Sequence, residues 1–240
     1  MQVSSLITTI REDYLFEISN SEFLWDTPSL LRKLTEAERQ TCNRGNLIYD
    51  DSTPSYTRIK LVSGKSSYDI DPKVTVIETI MLGDKHIEKR TKEELDRLIP
   101  TWRTDTGMLH TTIFAVISGR KIRFTPMPDA VDAGSFVNLE VFRLPDEDIT
   151  STGQEPEIPE EFHRDLIYWV LHECYKKQDA DTYNQERSDY FLNRFNQIFG
   201  EPVSAKVRQH QFESPRSLVF RLTSYFKKTT STAQDFQDFG

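Results

Sequence analysis

The hydrophobic period of this 240-residue chain changes twice. It is helical over the first fifty residues, two-fold from Tyr56 to Pro145, and helical again from Pro159. Since a pattern of one period does not settle into the other kind of element, two helical blocks must flank a β-rich one. The first block places Leu6, Ile7, Ile10 and Tyr14 at helical spacing, then Leu30, Leu31, Leu34, Ala37 and Cys42. Asp26 or Thr27 can cap the second of these helices, with Pro28 at its first position, where the missing N–H costs nothing. Asn43-Arg44-Gly45 marks its end. Thr35-x-x-Glu38 also spells a capping box, so a break near Leu34 stands as the alternative to one continuous helix.

In the middle block RIKLV, SSYDI, VTVIETIML, TTIFAVI, RKIRFTP and VNLEVFRLP are separated by Gly64, Asp71-Pro72, Gly83, Gly119 and Gly134. That predicts a meander of about six strands. One short helix interrupts it, opened by the capping box Thr91-x-x-Glu94 and closed before Pro100. The glycines fall at turns, and neither GxGxxG nor GxxxxGK[ST] occurs, so no phosphate-cradling loop is expected.

After DEDITSTGQEPEIP, Pro159 opens a predicted helix to about Gln178, roughly 28 Å long. Phe162, Leu166, Trp169, Val170 and Tyr175 share its broad apolar face. A last helix, capped by Asp181 or Thr182 through Thr182-x-x-Gln185, carries Tyr183, Arg187, Tyr190, Phe191, Arg194, Phe195, Ile198 and Phe199 and stops at Gly200. The expected bundle core is Phe162, Leu166, Trp169, Val170, Phe191 and Phe195, with Trp169 as anchor. Neither helical block buries its face alone, so the two should pack together. The predicted class is α+β: an α-helical bundle with an inserted antiparallel β domain and an extended C-terminal arm. Its parts are residues 1–50, 51–150, 151–200 and 201–240.

Hydrophobic residues make up 37% and charged residues 28%, without a run of eighteen apolar residues, which excludes wholesale disorder and a membrane span. MQVSSLITTIRED lacks the regions of a secretion signal, so the chain is expected to remain in the cytosol where it is made. Cys42 and Cys174 sit in apolar-periodic segments without a CxxC partner and read as reduced and buried. Glu160-x-x-His163 resembles half of a carboxylate-bridged metal site, but a second copy is missing. His163 and His172, nine residues apart, fall on opposite sides of a helix. Glu160 is better explained as a carboxylate near the positive end of a helix dipole. Asp179-x-Asp181 lacks the glycine and closing glutamate of a calcium loop. No GxSxG occurs, and His86, His110, His163, His172 and His210 form no spaced cluster. Neither catalysis nor a cofactor is expected.

Charge is unevenly spread. Residues 203–228 hold Lys206, Arg208, Arg216, Arg221, Lys227 and Lys228 against Glu213, a net +5 in a chain of net −8, which leaves −13 for the rest. The candidate docking residues are Arg208, Phe212, Arg216, Leu218, Phe220, Arg221, Leu222, Tyr225 and Phe226. Leu218, Phe220, Leu222 and Phe226 alternate as in a strand that lacks a hairpin partner and can add to another chain's sheet edge. The same cations and aromatics can instead track a nucleic-acid backbone and stack on bases. Both readings stand, with the period-two alternation favouring a protein partner.

The order of "SEFLWDTPSLLRKLTEAERQTCNRG", "TRIKLVSGKSSYDIDPKVTVIETIMLG", "WRTDTG", "RKIRFTPMPDA", "VNLEVFRLP" and "PEIPEEFHRDLIYWVLHECYKKQDADTYN" resembles tailed-bacteriophage head-to-tail adaptor proteins over roughly residues 20 to 200. The resemblance implies a bundle with a β insertion, assembled as a ring, typically of twelve, under the portal protein at the virion neck. It implies tail or nozzle proteins as further partners, and genomic DNA passing through the channel without sequence-specific binding. The arm lies outside the resemblance. A DNA-binding or DNA-packaging accessory protein is the alternative, and a small metalloenzyme a distant third.

Overall fold

Asp26 lies outside the helix it starts, in extended backbone, and its side chain accepts a hydrogen bond from Ser29 N at 3.1 Å while Pro28 takes the first turn. In the computed structural model, which describes residues 1–16, 23–106, 113–178 and 183–214, this helix runs unbroken. Its elements are α1 (Val3–Thr9), continued by a π-helical turn Ile10–Leu15, α2 (Thr27–Gly45), β1 (Ile48–Asp50), α3 (Pro54–Thr57), β2 (Arg58–Lys60), β3 (Ser67–Asp69) and β4 (Val74–Leu82). Then come β5 (Lys85–His86), β6 (Glu88–Lys89), α4 (Lys92–Leu98), β7 (Phe114–Ser118), β8 (Lys121–Thr125) and β9 (Phe136–Arg143). A 3-10 turn (Glu160–Phe162) leads into α5 (Leu166–Lys176), α6 (Gln185–Phe199) and α7 (Ala205–Glu213). No described helix is long and apolar enough to cross a membrane. The class is α+β, as expected.

The chain divides into two units. The first comprises Met1–Thr57, Asp71–Ile77 and Glu140–Ser204, the second Arg58–Ile70, Glu78–Leu139 and Ala205–Gly240. In the first, α5 packs against α6 and α2, and one cluster gathers Leu6, Ile10, Leu30, Leu34, Leu166, Val170, Leu171 and Phe191. Thr35 does not open a new helix. Its hydroxyl bonds back to Leu31 O at 3.0 Å and accepts Ile149 N at 3.1 Å, so it ties the 144–158 connection onto α2.

Two expectations for this block need correction. The helix predicted from Pro159 begins at Leu166, because the chain first makes i+3 bonds from Phe162 N and His163 N, and the His163 ring sits 2.8 Å from Ile158 O. The last helix is capped by Asn184, whose side chain accepts Arg187 N at 3.0 Å. Asp181 and Thr182 lie outside the described residues, and Tyr183 precedes the helix.

The β block is more than a meander. β9 pairs antiparallel with β2 along its first half and with β1 along its second, in register Arg58↔Asn138 and Ile48↔Arg143. β4 belongs to the same sheet and forms a hairpin with β5, for which Gly83 takes φ +58, a region costly for residues with a Cβ. The second sheet has the order β3-β8-β7-β6. There β6 runs parallel to β7, Glu88↔Phe114, so the insertion is mixed rather than wholly antiparallel. The connection that permits this is α4, whose capping box is complete: Thr91 Oγ1 accepts Glu94 N at 3.2 Å and Glu94 Oε2 accepts Thr91 N at 3.0 Å.

The predicted extended arm begins instead as α7. Residues 205–213 lack a β-branched run, Gln209 bonds Glu213 one turn on at 3.2 Å, and Glu213 accepts Gly119 N at 2.7 Å in the β7–β8 turn. The strand predicted in 217–226 lies outside the described residues.

Candidate docking surfaces

Of the candidate arm residues, Arg208 and Phe212 are on α7, and Arg216, Leu218, Phe220, Arg221, Leu222, Tyr225 and Phe226 lie outside the described residues. Phe212 is buried in its own unit, with the Arg120 guanidinium 5.0 Å from its ring. It anchors α7, which removes it from the set available to a partner.

Charge separates by unit. The first holds 12 Lys and Arg against 25 Asp and Glu, net −13; the second holds 18 against 13, net +5. Part of that excess converges on one cleft of about 390 Å³, lined by Ser67, Lys92, Trp102, Arg103, Val116, Ser118, Lys121 and Arg123. Trp102, buried with Leu95 and Val116, donates Nε1–H to Asp96 at 2.8 Å. The Arg103 and Arg123 guanidinium groups lie 4.5 and 5.2 Å from its ring centre. Arg103 is bidentate on Asp96, whose carboxyl it holds below the usual range, with Trp102 assisting. Arg123 donates to Arg103 O. Lys92 Nζ reaches Ser118 Oγ at 2.8 Å, and Lys121 Nζ stands 3.5 Å from Asp69. A guanidinium over an indole is attracted by the ring quadrupole, so both arginines cover the Trp102 floor while Lys92 and Lys121 remain exposed at its edge. Such a surface suits carboxylates or phosphates. Trp102 is only 3% exposed, so its ring is not open to a nucleobase.

None of these residues was singled out by pattern, since Lys92, Trp102 and Lys121 come from separate segments. The available signal was the tight basic spacing of Arg120-Lys121-x-Arg123 beside a strand.

The first unit carries a buried charge network. Arg143 Nε donates to Asp50 Oδ2 at 2.7 Å, its NH1 to Leu144 O at 3.1 Å and its NH2 to Glu157 Oε1 at 2.5 Å. Glu157 Oε2 accepts Asp146 N at 2.7 Å, and Asp146 accepts from Tyr56 and, at 3.0 Å, from Lys73. Burial works against charge on Asp50, yet the N–H groups of Thr53 and Ser52 together with Arg143 lower its carboxyl to about 2. Glu38, 1% exposed, binds the end of this connection by accepting the N–H groups of Glu157 and Ile158. Burial raises its carboxyl from 4.5 to about 7, although both N–H groups oppose the rise.

Because the folded-state value of Glu38 lies above its ordinary value, the stability carried by its neutral form is complete below about pH 4.5 and lost as pH rises through about 7. That loss is on the order of 3 kcal/mol at most, at about 1.4 kcal/mol per unit. Asp50 has the opposite sign, stabilising above its usual 3.8 and failing toward pH 2. Glu38→Gln keeps the acceptor without the charge. Thermal melts should show the wild type losing stability between about pH 5 and pH 8 and the variant nearly flat; parallel profiles would refute the assignment.

The expected core residues all lie in the first unit. Leu166, Val170, Phe191 and Phe195 are buried, whereas Phe162 and Trp169 are half-buried. Trp169 stands between the Arg44 guanidinium at 5.4 Å and Phe195 at 5.2 Å. Glu160 and His163 do meet, around the Met1 amino group, at 3.2 and 3.1 Å. His172 is buried against Ser188, with Oγ 2.9 Å from Nδ1. Among the described residues, His, Cys, Asp and Glu form no group of three able to hold a metal ion. Cys42 and Cys174 are buried and form no disulfide, and burial, with Glu38 adding to it, pushes the Cys42 thiol up to about 12.

The model of a protein family described as SU10 adaptor protein matches residues 1–218. No curated protein matches the chain.

Proposed function

The chain belongs to the SU10 adaptor protein family, a family of phage adaptors, and from that premise we propose that it is the head-to-tail adaptor of its virion. It joins the portal to the tail or nozzle proteins as a ring, of twelve copies, at the neck, with genomic DNA passing through the ring without sequence-specific binding. The observation that carries this reading is the family match over residues 1–218, which takes in the helical frame, the β insertion and α7. An acidic unit of net −13 suits a surface near passing DNA, because like charge withholds the counterion-release term that makes proteins grip phosphates. The work of such a protein is geometric, and it rests on docking and not on catalysis.

Electron microscopy of the purified chain with its portal protein tests the reading. The expected result is a twelvefold ring seated on the portal. Absence of any complex with the portal would refute it, and tight salt-sensitive binding to DNA alone would favour a packaging accessory using the basic C-terminal segment.

A further inference from the structure

Within the ring reading, on which this step rests, each copy must present two different surfaces to its two neighbours, because a cyclic assembly larger than a dimer uses heterologous contacts. Two such surfaces exist in one chain. The second unit carries net +5 and the cleft around Trp102, and the first carries net −13. Residues 146–161, DEDITSTGQEPEIPEE, hold Asp146, Glu147, Asp148, Glu155, Glu157, Glu160 and Glu161 and no basic residue. Some of these charges serve the chain itself, as Asp146 does toward Lys73 and Asp148 toward Arg39 at 2.6 Å. Glu147 and Glu161 are exposed.

We propose that the basic Trp102 cleft of one copy receives the acidic 146–161 segment of a second copy, with Lys92 and Lys121 facing Glu147 and Glu161. Three features favour a peptide carboxylate over nucleic acid as the occupant. The indole is covered and cannot stack on a base. The cations form a compact pocket and not a track, and a complementary segment is present in the same chain at equal concentration. The acidic segment is also held in shape: Thr150 N and Ser151 N both donate to Gln154 Oε1 at 2.7 Å, and Val3 N and Ser4 N bond Gln154 O and Thr152 O at 3.0 and 2.9 Å. A segment ordered before docking loses little entropy on binding. Complementary charge also sets the direction of the contact, because cleft against cleft or acidic segment against acidic segment is repelled.

A charge swap tests the proposal. Lys92→Glu with Lys121→Glu makes the cleft acidic, and Glu147→Lys with Glu161→Lys makes the segment basic. All four positions are exposed, so both variants should melt like the wild type, which circular dichroism checks. In sedimentation velocity the wild type should self-associate at about 0.1 M salt and weaken at about 1 M, where the screening length falls from ~10 Å to ~3 Å. Each variant alone should associate at least ~10-fold more weakly, and an equimolar mixture should recover the wild-type behaviour, since every contact in an alternating assembly is again complementary.

The proposal is overturned if the wild type stays monomeric at both salts, if either variant associates like the wild type, or if the mixture fails to recover. It is also overturned if Lys92→Glu with Lys121→Glu leaves association intact but abolishes binding to a double-stranded DNA fragment, which would assign the cleft to phosphates. A wild type that decorates the portal, alongside variants that associate as it does or a mixture that fails to recover, would leave the adaptor role standing and sink this contact alone. A wild type that associates head to tail but ignores the portal would do the reverse.

Discussion

Phe195→Ala should lower the stability of the helical unit by about 3–5 kcal/mol, the range for truncating a fully buried aromatic side chain. Phe195 has no solvent exposure. Its ring centre lies 5.2 Å from that of Trp169 and 4.8 Å from that of Phe199, both tilted, a geometry that adds to simple burial. The Arg44 guanidinium lies 4.9 Å from the same ring, while its NH1 donates to Asn196 Oδ1 at 2.6 Å and Gly200 O at 3.0 Å. Truncation therefore opens a cavity where α2, α5 and α6 share contacts and also loosens the arginine that holds the end of α6. Trp169→Ala should cost clearly less, because that ring is half-buried and its exposed part gains nothing from folding. Urea unfolding followed by far-ultraviolet circular dichroism ranks the two. A smaller loss for Phe195→Ala than for Trp169→Ala would overturn the packing scheme.

Arg143→Ala should be about as damaging, at roughly 3–5 kcal/mol, because it strands Asp50 without its counter-ion in a site where only 5% of that residue is exposed. Much of this loss is the cost of an uncompensated buried charge and not the intrinsic worth of the pair. The double variant Arg143→Met, Asp50→Asn removes both charges while leaving an acceptor for the N–H groups of Ser52 and Thr53. It should be more stable than Arg143→Ala alone. If the single and double variants unfold at the same urea concentration, burial of the charge is not what makes Arg143 important.

Local chemistry was the legible part of this fold. Asp26 with Pro28 and Thr91 with Glu94 need only their own neighbours to act, and both helix starts appear where the sequence puts them. Asn184 was missed because several residues able to cap stand in a row before it. The parallel pairing of β6 with β7 was hidden because a two-residue strand has no period to read. Arg143 is a different case, since its signal was present. Val137, Leu139, Val141 and Arg143 share one face of β9 and all are buried, so an arginine that continues an apolar alternation announces a buried counter-ion. The Trp102 cleft was not legible, because its cations come from α4, the turn after it, and β8, and only the sheet order brings them together.

The placement of the two cysteines turns the molecule into its own stopwatch. Cys42 and Cys174 are 0% and 1% exposed, both belong to the helical unit, and the β-rich unit contains no thiol. A thiol-reactive dye added to the native protein is consumed only when that unit opens, at a rate set by the opening equilibrium when reclosing outpaces labelling. In the ring proposed above, the same reading taken on free chains and on assembled ones measures how much neighbouring copies slow the opening, without introducing a mutation.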